Sequence, residues 1–215
     1  MSDTFTIDLW SDVVCPYCYL GRRQLAAALV DFEQRDLVSI RHRAYELDPR
    51  ARLTHERPLA DVVAAKYGVP VSQVHASHER LEREARALGM TWSFATARPT
   101  DTLDAHRVIA LAATQGLGDA MNDRLFRAYF SEGELVSDHG RLSALALEVG
   151  VEGADALWDG DAFTEVVRAD EAAAQELGIS GVPCFLLDSR FMVMGAQGKD
   201  QILDVLRRAW ARRAA

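Results

Sequence analysis

An alternating apolar stretch (Phe5, Ile7, Leu9) runs into Cys15-Pro16-Tyr17-Cys18, and a helical pattern (Leu25, Ala28, Leu29, Phe32) follows at once. This order constrains the chain more than any other feature. A strand that enters a helix through Cys-x-x-Cys sets the first sulfur at a helix N-terminus. Unsatisfied backbone N–H groups and the positive end of the helix dipole there favour thiolate over thiol, and the thiolate is the nucleophile of disulfide chemistry. Pro16 falls at the first helical position, where its missing N–H is not needed and its fixed φ suits the turn. Cys18, one turn in, is expected to be more buried and suited to resolve a mixed disulfide formed by Cys15.

The same spacing is half of a zinc site, but tetrahedral zinc takes four ligands and no second pair exists. The remaining cysteine, Cys184, is distant and has no histidine within a few residues. Redox use is therefore expected, with no metal and no bound cofactor.

Residues 37–45 alternate, with Val38, Ile40, His42 and Ala44 on one face, and predict a second strand. Strand, helix and strand imply a parallel pair with a right-handed crossover. After Leu47-Asp48-Pro49 the pattern turns helical from about residue 58 to 178. Ser72 is the expected cap of a helix ending near Gly89, Thr100 or Asp101 of the next, and Ser137-Asp138 of a later one. Residues 119–130 carry a bulky apolar patch, and Asp161 is expected to start the last of these helices. Residues 183–187 then form an unbroken apolar run, Asp188-Ser189 a turn, and residues 190–194 an antiparallel partner. A final helix presents Ile202, Val205, Leu206, Ala209 and Trp210 on one face. The chain thus predicts an α/β sheet domain of order βαβ…ββα, built from residues 1–48 and 179–215. An all-helical insertion of residues 49–178 interrupts it.

At 215 residues, 49% of them hydrophobic, the chain can bury a core without structural disulfides. Its 32 acidic residues outweigh 24 Lys and Arg for a net charge of −8, which argues against nucleic acid as a partner. The group Arg207, Arg208, Arg212 and Arg213 reads as a helix C-terminus complementing its own dipole. The first residues show no basic, apolar leader, and no stretch approaches the length of a membrane span. The expectation is a cytoplasmic protein without a membrane partner, in a compartment where thiol pairs tend to be catalytic or redox-sensing.

Taken in order, these features resemble the thioredoxin fold, and the helical insertion resembles its DsbA-like branch. Closer similarity is to the cytoplasmic FrnE-type subfamily of DsbA-like oxidoreductases. It rests on Ser11-Asp12-Val13-Val14-Cys15-Pro16-Tyr17-Cys18-Tyr19-Leu20-Gly21, Ala105-His106-Arg107 and Leu125-Phe126-Arg127-Ala128-Tyr129-Phe130. Gly178-Ile179-Ser180-Gly181-Val182-Pro183 and Gly195-Ala196-Gln197 complete the set. The resemblance implies Cys15 as attacking thiolate, Cys18 as resolving thiol, and a cis Pro183 beside the redox turn. It also implies that Val182 offers its backbone to an extended substrate segment.

Cys184 departs from that pattern, since a bulky apolar residue is expected after the cis proline. It reads as a small buried hydrophobe or, alternatively, as a third redox-active thiol. Asp12 is a candidate to tune the thiolate or to cap the turn, and Pro16 and Tyr17 border the sulfur. His106 reads as a buried histidine. His75, His78, Glu79 and Glu82 read as a solvated face, and Trp92 and Phe94 as loop aromatics that either staple the insertion or line a groove.

The expected function is thiol–disulfide exchange on a disulfide-containing protein or a small thiol, with glutathione as a candidate co-substrate. One alternative is a glutathione-dependent transferase or isomerase similar to the kappa-class transferases and the 2-hydroxychromene-2-carboxylate isomerases. These use serine where this chain has Cys15 and need no second thiol. Another is a redox-switched binding or chaperone-like protein. Sequence leaves the oligomeric state open.

Overall fold

The computed structural model describes residues 4–51 and 57–213. The chain divides into two units, one of residues 1–47 and 163–215 and one of residues 48–162.

The first unit is built on a four-stranded sheet. Strand β1 (Phe5–Ser11) leads to helix α1 (Pro16–Val30), and β2 (Val38–Ala44) returns parallel to β1. The remaining strands of this sheet, Cys184–Leu187 and Phe191–Met194, come from the far end of the chain. The first pairs antiparallel with β1 and with its own partner, so the sheet reads β2, β1, 184–187, 191–194 across.

Alternation along β1 divides the unit into two layers. Phe5, Ile7 and Leu9 point to one face and pack with Leu25, Ala28 and Phe32 and with Ile202, Leu206 and Ala209 of the terminal helix. Asp8 and Trp10 point to the other face. Trp10 joins Ala174, Ile179, Cys184 and Leu186 there. Asp8 pairs with Arg41 (2.6 Å) and Arg43 (2.8 Å), and Arg43 pairs in turn with Asp170 (2.8 Å). Asp170 also accepts the Ala44 N–H (3.0 Å), while its carbonyl accepts from the Trp10 indole (2.9 Å).

The helix that carries Asp170 therefore belongs to the sheet unit, whereas helical periodicity alone assigned everything up to residue 178 to the insertion. Periodicity reports which face of a helix is apolar, not which layer that face meets. Asp170 is a buried acid whose partners lie more than 120 residues away, and no local pattern announces them.

The second unit is helical: α2 (Leu59–Tyr67), α3 (Val71–Ala87), α4 (Leu103–Thr114), α5 (Gly118–Arg127) and α6 (His139–Glu148). Helix α7 (Thr164–Glu176), strands β3 (Cys184–Leu187) and β4 (Phe191–Met194) and helix α8 (Lys199–Ala211) complete the sheet unit. Asp138 caps α6 as expected, accepting the Arg141 N–H at 2.7 Å. Helix α3 instead starts one residue earlier than Ser72, behind Pro70. Residues 154–159 form a 3-10 turn, and Phe163, at φ 66°, precedes α7, so Asp161 does not start that helix.

The bulky patch of α5 continues as a π turn over Ala128–Glu132 and builds an aromatic core. Phe130 lies 5.0 Å from Trp92, 5.8 Å from Phe94 and 4.9 Å from Tyr129, centroid to centroid. Gly133 closes the π turn at φ 69°, where a Cβ would sit 2.9 Å from Thr96 Cβ. Buried Arg107 donates to the carbonyls of Leu157, Gly160 and Ala162 at 2.6–2.8 Å and pairs with Asp104 at 2.7 Å. These bonds fasten the end of the unit to α4. Among the described residues no helix is long and apolar enough to cross a membrane.

Candidate active site

Cys15 is the N-cap of α1, with extended backbone (φ −89°, ψ 113°), and Pro16 is the first helical residue. A proline there loses no intrahelical bond, so the helix can start directly on the cysteine. The turn is closed by the Cys15 N–H donating to the Asp12 carbonyl (3.0 Å) and by the Cys18 N–H donating to the Cys15 carbonyl (3.1 Å). Cys15 keeps 4% of its surface accessible and Cys18 none, while Tyr17 between them is 40% exposed. All three cysteines are free thiols.

The loop before β3 supplies the other wall. The Val182–Pro183 bond is cis, and the Cys15 thiol points at the Val182 carbonyl, Sγ to O 3.7 Å. Two further contacts fix Pro183. Its carbonyl accepts the Gly195 N–H at the end of β4 (2.8 Å), and its ring packs on Gly21 of α1. A Cβ on Gly21 would stand 3.0 Å from Pro183 Cγ and 3.1 Å from Phe185 Cζ, so a larger residue requires these side chains to give by a few tenths of an ångström. The sequence signal for this role of Gly21 is a lone glycine inside a helical pattern.

Burial pushes the Cys18 thiol well above its ordinary range, and the neighbouring Cys15 sulfur adds to the effect; the Asp12 backbone N–H opposes it, and the Asp12 carboxylate reinforces it more weakly. Cys18 is thus held as a neutral thiol inside the turn. Cys184 is fully buried, set opposite Trp10 on β1, and burial pushes its thiol up to about 11. It packs in the apolar cluster of Trp10, Ala174, Ile179 and Leu186, the environment of a small hydrophobe.

Asp12 is buried beside the turn, its carboxylate accepting the Leu47 N–H at 2.8 Å. Asp12, Cys15, Pro16, Cys18, Val182 and Pro183 therefore come together, and the Tyr17 ring stands at the surface beside them.

Other sequence candidates lie elsewhere. His106 is buried in α4. Trp92 and Phe94 belong to the aromatic core. His75, His78, Glu79 and Glu82 line an open cleft of about 400 Å³ with Arg57 and Arg98, and the His78 ring stacks on Phe94 at 4.0 Å. Among the described residues no group of three or more His, Cys, Asp or Glu could hold a metal ion. Arg207 pairs with Glu33, Arg208 with Asp204 and, just past the last helix, Arg213 with Asp188, so these basic residues are matched within the unit.

Comparison with known proteins gives this geometry a lineage. The model of the DSBA-like thioredoxin domain matches residues 6–207. The probable DsbA oxidoreductase SCO1869 of Streptomyces coelicolor is 34% identical, covers 96% of this chain and 90% of its own, and superposes with a TM-score of 0.91. YwbO of Bacillus subtilis is 28% identical over 201 residues, 92% of this chain and 93% of that protein. The cytosolic disulfide reductase DsbM of Pseudomonas aeruginosa, 21% identical, shares the fold across 98% of this chain and all of its own, with a TM-score of 0.66. With its βαβ…ββα sheet, its helical unit and a Cys-x-x-Cys opening the first helix, the chain belongs to the DSBA-like thioredoxin domain family.

Proposed function

We propose that the protein is a thiol–disulfide oxidoreductase in which Cys15 exchanges with substrate and Cys18 resolves. The observation that carries this reading is the position of Cys15: the cap of α1, slightly exposed, with its sulfur facing the carbonyl that precedes Pro183. The positive dipole end of a helix N-terminus stabilises a negative sulfur held at its cap.

The Cys15 thiolate attacks one sulfur of a substrate disulfide, a mixed disulfide forms, and the other substrate sulfur leaves as a thiolate that takes up a proton. Cys18 then loses its proton and attacks Cys15 Sγ, closing the Cys15–Cys18 bond and releasing the second substrate thiol. The substrate is reduced by two electrons and the protein oxidised by two. A thiol such as glutathione, as co-substrate, returns it to the dithiol, and the reverse sequence oxidises a reduced partner.

Val182 is the backbone beside which an extended segment of a disulfide-containing protein or a small thiol would lie. Pro16 and Tyr17 form the rim it meets first. Three cysteines in 215 residues, none spare for a structural bridge, suit the reducing cytoplasm, where reduction or isomerisation is favoured over oxidation. This is the FrnE-type reading of the chain.

Equilibration in glutathione buffers, with the three cysteines read by alkylation and mass spectrometry, tests it. The expected result is a reversible Cys15–Cys18 disulfide with Cys184 reduced throughout. A single glutathione held on Cys15, with Cys18 never bonded, would overturn the dithiol reading in favour of a glutathione-dependent transferase or isomerase.

A further inference from the structure

The open cleft of about 400 Å³ lies wholly within the helical unit, between the start of α2, the middle of α3 and the segment 94–99 that leads towards α4. That volume is in the range of small-molecule sites. Its floor is apolar, made by buried Ala60, Phe94, Ala97 and Pro99. Phe94 is held twice: the His78 ring stacks on it at 4.0 Å and 9°, and the Glu82 carboxylate accepts its N–H (2.9 Å). Burial, with His75 beside it, holds His78 below its ordinary value against the opposing charge of Glu82, so the stacked ring is neutral. A flat apolar wall is thus in place before any ligand arrives.

The rim is charged. Arg57 donates to the Asp61 carbonyl at 3.3 Å and Arg98 to the Gly133 carbonyl at 3.4 Å, both long, and neither pairs with a carboxylate of the described residues. Arg80, Arg107, Arg124, Arg127 and Arg141 of the same unit all do. Pro58 and Leu59, the cap and first residue of α2, also line the cleft, so the positive end of that helix borders it. Of the two acids there, Glu82 is spent on the Phe94 amide, and Glu79 stands exposed one turn beyond His75 on α3. We propose that this cleft binds a small aryl carboxylate, its ring against the His78–Phe94 wall and its carboxylate on Arg57 and Arg98. The site stands apart from the dithiol reading and needs neither cysteine.

The head group is what the rim discriminates. A guanidinium presents paired N–H donors that match the two oxygens of a carboxylate, and its charge adds to each bond. An uncharged ring of the same shape keeps the apolar burial and loses the charge-assisted bonds. A cationic ring is repelled by both arginines and attracted only by Glu79. Three ligands that share a ring and differ in head group therefore separate the two contributions.

The full chain is titrated with benzoate, benzamide and benzylamine, and backbone amide shifts are read by NMR. Benzoate is expected to move the amides of residues 57–60, 75–82 and 94–99, with a Kd on the order of 1 mM for a ligand of so few atoms. Benzamide is expected to bind about tenfold more weakly, and benzylamine more weakly still. Arg57→Gln combined with Arg98→Gln is expected to weaken benzoate about tenfold and to leave benzamide unchanged. Both arginines are exposed, so the double variant keeps its core; Ala95→Trp, at an exposed lining position, fills the cleft and is expected to abolish binding of all three. Benzamide binding as tightly as benzoate, or benzylamine more tightly, overturns the proposal. So do shifts confined to other residues, undiminished benzoate binding in the double variant or in Ala95→Trp, and an absence of shifts about twentyfold above that Kd.

Discussion

The two units of this chain solve the problem of joining layers by different means. In the sheet unit a chain of charge, Arg41–Asp8–Arg43–Asp170, in which both acids are buried and both arginines reach solvent, ties β1 and β2 to α7, and Arg168 joins Glu46 to Glu171 nearby. In the helical unit the centre is a stack of rings around Phe130; of its buried arginines, Arg107 holds backbone carbonyls and Arg124 pairs with Glu132 and Glu148. Buried ion pairs add little net stability over apolar packing but discriminate sharply against wrong pairings. A layer that must hold the Cys15–Cys18 turn in register gains from that discrimination, and a helical unit held by ring packing gains more from apolar area. Burial would lower the Arg43 charge, yet the Asp8 and Asp170 carboxylates more than reverse it and keep the guanidinium protonated.

Three substitutions probe this contrast. Phe130→Ala opens a cavity in the aromatic core and is expected to destabilise the helical unit by about 3–5 kcal/mol. Denaturant unfolding followed by tryptophan fluorescence measures it, and a loss below 1 kcal/mol would show that the ring stack is not what holds that unit.

The next effect is pH-dependent. In the folded protein Cys184 stays neutral until about pH 11, whereas in the unfolded chain it ionises near its ordinary value of 9.0. Its stabilising contribution is therefore complete below pH 9 and is lost as pH rises from 9 to 11. Two pH units correspond to roughly 2–3 kcal/mol. Cys184→Val is expected to be less sensitive over that interval by this amount, as read from urea unfolding at pH 8 and 11. Equal slopes for the two proteins would contradict the buried-thiol account of Cys184.

Asp170→Asn gives the smallest change. It keeps the acceptor for Ala44 and removes the charge facing Arg43, and a loss of about 1–2 kcal/mol is expected because Arg43 is one-third exposed. The same change should lower amide-exchange protection at Ala44 more than at Ile7. Uniform loss across the sheet would mean that the network does not act as a local register device.

Much of the active site was legible because it is local. Strand, Cys15-Pro16-Tyr17-Cys18 and helix are contiguous, Pro16 marks the first helical position, and the apolar run after Pro183 forms β3. The two bonding groups of Asp138 and Arg141 lie three residues apart, so that cap was legible too. What escaped is long-range or geometric. The partners of Asp170 lie on β2, the packing of Gly21 on Pro183 spans most of the chain, and the role of the Leu47 amide depends on where β2 ends. Ser72 failed as a cap because Pro70, with its extended backbone, already turns the chain into α3. The π turn at Ala128–Glu132, which no periodicity announces, buries Ala128, Tyr129 and Phe130.

The central claim is that Cys15, and no other cysteine, receives the substrate sulfur. A Cys18→Ala variant, unable to resolve, is incubated with a model peptide disulfide, trapped with iodoacetamide and mapped by peptide mass spectrometry. The account predicts a stable adduct on Cys15 alone, with Cys184 unmodified until the protein is unfolded. An adduct on Cys184 in the folded protein, or none on Cys15, would contradict it.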